Sequence, residues 1–242
     1  MKARLITTNT AKRLKRLLGR LKLTKPGIAL VLIVVGLLLY NWWILVPLKP
    51  GLMHSPNELF SDLEVTGQPF AAAMQYADLM SGVLVLAALL LIGCQKKRPE
   101  FREWVAMIVF AGAVIIGGIF EESCPDGISA ACRSLEWSFQ LPLHHYLHII
   151  AGIFEFGGIT FALAFAYRRT RGLKTFRAKI YRRLGRGAFA AYPILGLAYI
   201  VNILGSLIEA VFFTSFAIIV MAQLFDLIAA KDDQQQTPQK VN

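Results

Sequence analysis

Two histidines and two carboxylates fall at positions where apolar membrane helices rarely carry them. His144, His148 and Glu155 are separated by four and seven residues, so at about 100° per residue they share one helix face within an arc of about 40°. Asp78 lies in a second apolar segment. Imidazoles and carboxylates act as general acids and bases and bind metals. If the two helices face each other, these four candidate catalytic residues line one polar crevice.

The elements that must position these residues are membrane helices. Hydrophobic residues make up 56% of the 242-residue chain, and six stretches approach the roughly 20 residues needed to cross a bilayer core. The alternating pattern of a transmembrane barrel is absent, which leaves helices as the expected spanning structure. The predicted fold class is therefore all-α, a polytopic transmembrane bundle of six spans. The spans are expected at about residues 28–48, 71–93, 104–120, 146–167, 188–204 and 209–229.

Loop charge predicts the orientation of this bundle. Segments 1–26, 95–103, 168–187 and the tail after Ala230 carry 24 of the 26 Lys and Arg residues. The positive-inside rule places them, and both termini, in the cytoplasm. We therefore predict a multi-pass plasma-membrane protein with three parts. These are a basic amphipathic segment (1–26), a transmembrane domain (27–230) and a disordered tail (231–242).

The net charge of +11 lies mostly beside the predicted spans. This position argues against nucleic acid as a partner and favours anionic lipid headgroups at the cytoplasmic face. Leucines and other apolar residues recur at helical spacing within 12–22 and 173–184. These two segments are predicted to be helices that lie in the headgroup layer.

The cysteines fit the same topology. Cys124 and Cys132 share one predicted outer loop, and an oxidising compartment favours a disulfide between them. The alternative is a metal site, zinc or another divalent ion, in which His144 and His148 join the two thiolates or bind the metal themselves. The spacing of the cysteines is wider than in the usual zinc motifs. Cys94 ends the second span at the cytoplasmic side and is expected to stay a reduced thiol.

Buried charge singles out the deep carboxylates. A carboxylate far inside the bilayer costs about 2.5–3.5 kcal/mol on insertion scales, so Asp78 and Glu155 are expected to face the bundle interior. Asp226 lies near the end of the last span, and the spans contain no Lys or Arg to pair with these acids. Glu121, Glu122 and Asp126 lie at the predicted outer mouth as candidate binding residues. Glycines in the third and fourth spans predict close packing between them.

Two stretches of the chain resemble the "domain of unknown function 998" family of six-helix bacterial and archaeal membrane proteins. The first runs from SPNELFSDLEVTGQP (55–69) to QYADLMSGVLVLAALL (75–90), and the second joins GGIFEESCP (117–125) to HHYLHIIAGIFEFGGITFAL (144–163). Ser61, Asp62 and Leu63 match the family's Ser-Asp-Leu-Gly, with Glu64 in place of glycine.

The resemblance implies a six-helix fold and makes Ser61 and Asp62 candidate binding residues. Asp126 and His144 or His148 could fill the family's later Asp and His positions, although Glu121 stands where the family tends to have proline. The family looks distantly similar to membrane proteins involved in lipid-anchor remodelling, and its own activity is not established.

Three functions follow as alternatives. The first is an integral membrane protein that binds or acts on lipid through an outward-facing polar crevice, as a scaffold, accessory or lipid-binding protein. The second is a membrane-embedded hydrolase or transferase that uses His144 or His148 with Asp78 and Glu155. The third is a small proton-coupled transporter, for which a homo-oligomer would supply further spans. Convergence of Asp78 with the histidine face would favour the second.

Overall fold

The computed structural model describes residues 25–48, 51–53, 55–93, 100–174, 176–214 and 217–218. Within these ranges every regular element is helical, which confirms the all-α prediction. The predicted tail, Cys94, Asp226 and nearly all of the N-terminal segment lie outside the described residues. The α-helices are α1 (Lys25–Tyr40), α2 (Ala71–Ile92), α3 (Phe101–Ile119), α4 (Ala130–Trp137), α5 (Leu143–Thr170), α6 (Phe176–Val201) and α7 (Gly205–Thr214).

Four of these helices, α2, α3, α5 and α6, are long and apolar enough to cross a membrane, and α1 and α7 are shorter apolar helices. Neighbours in the chain pack together: α1 on α2, α2 on α3, α3 on α5 and α5 on α6. Large apolar side chains such as Leu38, Tyr76 and Phe154 remain exposed, as expected of helices that face lipid. This arrangement is that of an integral membrane protein.

The first predicted span is shorter than the sequence indicated. Helix α1 ends at Tyr40, and Trp42–Leu48 forms a 3-10 helix instead of continuing it. The Asn41 side chain donates to the Leu37 carbonyl oxygen at 2.7 Å, and the Asn41 backbone N–H donates to the same oxygen at 3.1 Å. Side-chain bonds of this kind to the local backbone favour the end of a helix. Pro47 has no N–H to continue an α-helix. The resulting turn brings Trp42 back over the bundle, where its indole reaches α2.

The prediction of a separate interfacial helix over 173–184 is wrong. Most of this segment is the first part of α6, which runs unbroken from Phe176 to Val201 with Pro193 inside it. Ala178 and Tyr181 are fully buried, and the Arg169 guanidinium of α5 lies 6.0 Å from the Tyr181 ring centroid. This basic stretch therefore packs on the bundle, and the fifth apolar helix begins before the predicted residue 188.

A short turn joins the last two apolar helices. Only three residues separate α6 from α7, and Asn202 (φ 54°) and Leu204 (φ 52°) adopt left-handed backbone conformations there. The Asn202 side-chain amide donates to the Gly127 carbonyl at 3.2 Å. The Leu204 N–H donates to Asn57 Oδ1 at 3.0 Å. The turn is thus fixed to both long loops, 49–70 and 120–142.

Two glycines explain how closely the helices approach. A Cβ on Gly158 of α5 would lie 2.8 Å from the Phe110 backbone nitrogen of α3. A Cβ on Gly118 of α3 would lie 2.7 Å from the Leu79 nitrogen of α2. The predicted close packing of the third and fourth spans is therefore confirmed. Gly112 and Gly152 have open space around them instead.

Gly118→Ala should destabilise the protein, because the new methyl group would collide with the α2 backbone. Overpacking of this kind costs about 1–3 kcal/mol. Gly112→Ala on the same helix is the control, since nothing lies within 4 Å of its Cβ position, and it should leave stability unchanged or raise it by up to about 1 kcal/mol. Thermal unfolding of the detergent-purified protein measures both. Equal midpoints for the two variants would contradict the packing described here.

Candidate functional site

A cavity of about 430 Å³ lies at the end of the bundle where the loops 49–70 and 120–142 meet the helices. Its walls are largely apolar and aromatic, with a set of acidic side chains among them. The acids are Glu64, Asp78, Glu122, Glu155 and Glu209, and the aromatic residues are Tyr40, Trp42, Phe60, Phe156, Tyr192, Tyr199 and Phe213. Among the described residues, no Lys or Arg belongs to this lining. Three of the four residues predicted to share one polar crevice line this cavity: Asp78, His148 and Glu155.

Asp78 and Glu155 line this cavity together although they come from different helices, α2 and α5. The Trp42 indole N–H donates to Asp78 Oδ1 at 2.9 Å. The Tyr40 hydroxyl donates to Glu155 Oε1. Glu64 lines the same cavity. Each deep carboxyl is thus held by a donor from α1 or the turn after it.

The two histidines of the predicted face have different positions. His148 lines the cavity, and its Nδ1 lies 2.7 Å from the Phe120 carbonyl oxygen and 3.2 Å from that of Gly117. Because carbonyls only accept, Nδ1 carries a proton, and Nε2 faces Glu122 Oε1 at 3.5 Å. His144 is not among the lining residues, and its Nε2 lies 3.0 Å from the Ser123 hydroxyl.

The candidate binding residues separate into three groups. Ser61 lines the cavity. Asp62, Glu122 and Asp126 form a buried cluster whose possible ligand atoms all lie within 4.8 Å of one another. Glu121 lies apart from both, and accepts hydrogen bonds from the Thr66 hydroxyl at 2.5 Å and the Gln75 amide at 3.2 Å.

The predicted disulfide is present between Cys124 and Cys132, whose Cα atoms are 5.9 Å apart, within the usual range for a disulfide. The bond leaves neither sulfur as a thiolate for the alternative zinc site with the histidines. Among the described residues, the one set of three possible metal ligands is Asp62, Glu122 and Asp126. Neither His144 nor His148 belongs to it, so a metal site at the histidines stays a prediction.

Several site residues were missed by reasoning from sequence. Glu209 is buried and accepts the Phe60 N–H at 2.6 Å across 149 residues of chain. It stands at the edge of an apolar run and was not counted among the charged residues of the spans. His145, on another face of α5 than His144 and His148, is fully buried. Its Nε2 lies 3.5 Å from Glu136 Oε2.

Arg133 is the single Lys or Arg between residues 104 and 167. Its guanidinium contacts Asp126 Oδ2 at 3.1 Å and donates to the Tyr199 and Ile200 carbonyls at 2.5 and 2.6 Å. The Tyr199 hydroxyl in turn donates to Glu136. The guanidinium therefore connects the short loop helix α4 to the end of α6 and offsets part of the acidic charge.

Burial sets the electrostatics of the acidic cluster. Burial and then Asp126 raise the pKa of Asp62 to about 7, against two backbone N–H donors that lower it. Burial, Asp62 and Asp126 raise the pKa of Glu122 well above its ordinary value. Burial and Glu136 raise the pKa of Asp126 to about 6, although Arg133 opposes them. Near neutral pH the cluster therefore retains protons that the same residues lose in the unfolded chain.

Stability should therefore fall as pH rises from about 4 to about 8. In this range the folded state binds more protons than the unfolded state, so the free energy of unfolding decreases as the pH rises. With one pKa unit worth about 1.4 kcal/mol, Asp62 alone contributes on the order of a few kcal/mol. The thermal midpoint, measured in detergent with a chelator present, should decrease across this range.

Asp62→Asn should reduce that dependence, because it removes one of the three titrating carboxyl groups. The control is Glu121→Gln, since Glu121 is accessible and its hydrogen bonds to Thr66 and Gln75 lower its pKa. This variant should keep the wild-type pH slope. The same slope in Asp62→Asn as in the wild type would contradict the assignment.

Comparison with known proteins supports the resemblance seen in the sequence. No curated protein and no solved structure matches the chain. The sequence model of one family, described as "Protein of unknown function (DUF998)", matches residues 29–228, a range that includes every residue given above as lining the cavity. The chain belongs to the DUF998 family.

Proposed function

We propose that this protein binds a membrane amphiphile, with the head group among the cavity carboxyls and the apolar chain along the aromatic walls. The observation that carries the proposal is the cavity itself. It has about 430 Å³ of space, within the usual range for small-molecule sites. It joins an apolar wall to acidic groups that are costly to bury. A site for a water-soluble metabolite would not need so much apolar surface inside an apolar bundle.

The lining charge favours a cationic head group over an anionic one. In the part of the chain that the structure describes, five acids and no Lys or Arg line the cavity, so a phosphate or sulfate head would meet repulsion without a cationic partner. Tyr40, Trp42 and Phe60 present aromatic rings beside these acids. Aromatic faces attract ammonium groups, by about 0.5–2 kcal/mol. An ammonium-bearing amphiphile therefore fits the site best.

One observation supports the enzymatic alternative. Asp78, His148 and Glu155 line one cavity, and His148 Nδ1 is occupied by backbone carbonyls. Its Nε2 faces Glu122 and could exchange a proton with that carboxyl group during general acid–base catalysis. Mass spectrometry of the bound amphiphile would detect this activity as cleavage or transfer of its head group or chain. The transporter alternative has support from the same carboxyls alone.

We further propose six spans, with α1 and α7 as the outer members of the set, both termini in the cytoplasm and the cavity open toward the outside of the plasma membrane. The charge distribution of the loops supports this orientation. The disulfide supports it as well, because cysteines pair in oxidising compartments. The basic segments at the opposite end would contact anionic headgroups.

Binding can be tested with two fluorescent amphiphiles of equal chain length, one with a trimethylammonium head and one with a sulfate head. The wild-type protein in nanodiscs should bind the ammonium probe tighter, by about tenfold or more, a difference of about 1.4 kcal/mol. The double variant Asp78→Asn/Glu155→Gln should lose this preference. Equal binding of the two probes would contradict the cationic head group, and no binding of either would contradict the proposed function.

A second pair of variants tests the cavity as the place of binding. Gly152→Leu would fill space inside the cavity, because Gly152 is a lining residue with nothing within 4 Å of its Cβ position. Gly112→Leu is the matched control, since Gly112 also has open space but does not line the cavity. Only Gly152→Leu should weaken probe binding, by about tenfold or more. Equal effects of the two would place the probe elsewhere.

The orientation can be tested with single cysteines in a background where Cys94 is replaced by serine. Phe139 lies in the loop before α5 and Leu173 in the loop after it, and both are exposed. A membrane-impermeant maleimide should label Phe139→Cys on intact cells. Leu173→Cys should react only after the membrane is permeabilised. The reverse pattern would invert the proposed topology.

A further inference from the structure

The buried cluster of Asp62, Glu122 and Asp126 is built differently from the cavity beside it. Its three carboxylates come from the two long loops, and all three side chains are nearly inaccessible to solvent. Their ligand atoms lie within 4.8 Å of one another, although Asp62 and Asp126 are 64 residues apart in the chain. Close burial of three like charges is unfavourable unless something compensates them.

The backbone holds one member of the cluster in a fixed orientation. Asp62 Oδ2 accepts the Leu59 N–H at 2.8 Å, and Asp62 Oδ1 lies 3.4 Å from the Gly127 nitrogen. A Cβ at Gly127 would collide with Asp62 Oδ2, so only glycine lets the second loop come this close. Each of these bonds leaves further lone pairs on the carboxylate. The loops are thus built around this carboxylate group.

Glu122 supplies an independent sign that a ligand belongs here. Its Oε2 atom is buried and has no hydrogen-bond partner within the described part of the chain. Its other oxygen, Oε1, lies 3.5 Å from His148 Nε2. A buried carboxylate oxygen without a donor costs free energy on the scale of a lost hydrogen bond or more. This atom therefore needs a proton or a cation.

Charge counting distinguishes a divalent cation from other compensations. Arg133 contacts Asp126, so three ionised carboxylates and one guanidinium leave two negative charges. The neighbouring Glu136 has its own partner in His145, whose Nδ1 accepts the Ser123 N–H and whose Nε2 thus carries the proton. One divalent cation would therefore balance the three carboxylates and Arg133. The carboxyl group of the buried Glu58 also acts electrostatically on Asp62, which adds to the demand for a cation.

We propose that Asp62, Glu122 and Asp126 bind a divalent cation of the calcium class that joins the loops 49–70 and 120–142. Carboxylate oxygens are hard ligands, typical of Ca²⁺ and Mg²⁺ sites and less so of zinc sites. Calcium–oxygen distances of about 2.3–2.6 Å place ligands on opposite sides of the ion up to about 5 Å apart, which accommodates this cluster. The histidines predicted as metal ligands take no part in it.

The first experiment measures Ca²⁺ binding to the full-length detergent-purified protein after removal of metals by a chelator. Isothermal titration calorimetry with CaCl₂ should give about one site per chain. Equilibrium dialysis with radioactive calcium gives the same stoichiometry independently of heat signals. Addition of Ca²⁺ should also raise the thermal midpoint, because a ligand that binds only the folded state stabilises it. No saturable binding at millimolar Ca²⁺ would overturn the proposal.

Variants locate the site. Glu122→Gln and Asp126→Asn should each weaken Ca²⁺ binding about tenfold or more, since affinity depends on the number of charged ligands. Glu121→Gln is the control, because it makes the same change one residue away on a side chain whose carboxyl contacts Thr66 and Gln75. Binding that persists in Glu122→Gln, or is lost equally in Glu121→Gln, would overturn the assignment.

A further measurement keeps the proposal testable if a variant does not fold. Terbium(III) replaces calcium in oxygen sites, and nearby aromatic residues such as Trp137 and Tyr199, which contact Arg133, can sensitise its emission. The wild-type protein should show terbium luminescence that Ca²⁺ displaces. Luminescence that Ca²⁺ does not displace would contradict a calcium-class site. These readouts do not use the amphiphile probes, so this proposal and the proposed function can fail separately.

Discussion

The constraint that governs this structure is the burial of acidic side chains at one end of an apolar helix bundle. Eight acids are buried in the described part of the chain, and all except Glu103 lie at the end formed by the two long loops. Glu103 has an ordinary partner, Arg169, whose Nε lies 2.6 Å from its Oε1. At the loop end Arg133 is the one guanidinium. Protons, hydrogen-bond donors or bound cations must supply the rest of the compensation.

The hydrogen-bond donors to these acids come from distant parts of the chain, so the acids hold distant segments of the fold together. Tyr40 from α1 reaches Glu155 on α5, and the Phe60 backbone reaches Glu209 on α7. These bonds tie α1 to α5, and α7 to the loop 49–70. Close approach at Gly118 and Gly158 brings α2, α3 and α5 near enough for this. The acids therefore have a structural role as well as any role in binding.

Local pattern was sufficient to predict part of this arrangement. The spacing of His148 and Glu155 on a helix, and the depth of Asp78 and Glu155, predicted one polar crevice, and these three residues do line one cavity. Helical periodicity depends only on neighbours in sequence. The same pattern placed His144 with them, but His144 contacts Ser123 at the loop. The position of a residue on a helix face therefore predicted which way its side chain points. It did not predict how far along the helix the cavity extends.

The rest depended on contacts between distant segments that no local pattern encodes. Glu64 and Glu209 stand in or beside loops, and their burial results from how the loop 49–70 folds over the bundle. The meeting of Asp62 with Asp126 requires the Gly127 approach, which follows from the packing of two loops. The end of α1 at Tyr40 depends on Asn41 and Pro47. Apolar composition alone predicted a longer span there.

Glu122 links the two sites, because it lines the cavity and also belongs to the acidic cluster. A cation at the cluster would hold Glu122 ionised and fix its position in the cavity wall. An ammonium group in the cavity would compete with the cation for the Glu122 carboxylate. A neutral head group would instead donate hydrogen bonds to the oxygen atoms of Glu122. Linkage between two binding sites is reciprocal. If the bound cation changes the affinity for the amphiphile by some factor, the bound amphiphile must change the affinity for the cation by the same factor. A shared carboxylate makes that coupling a direct electrostatic contact and requires no change in the helix packing.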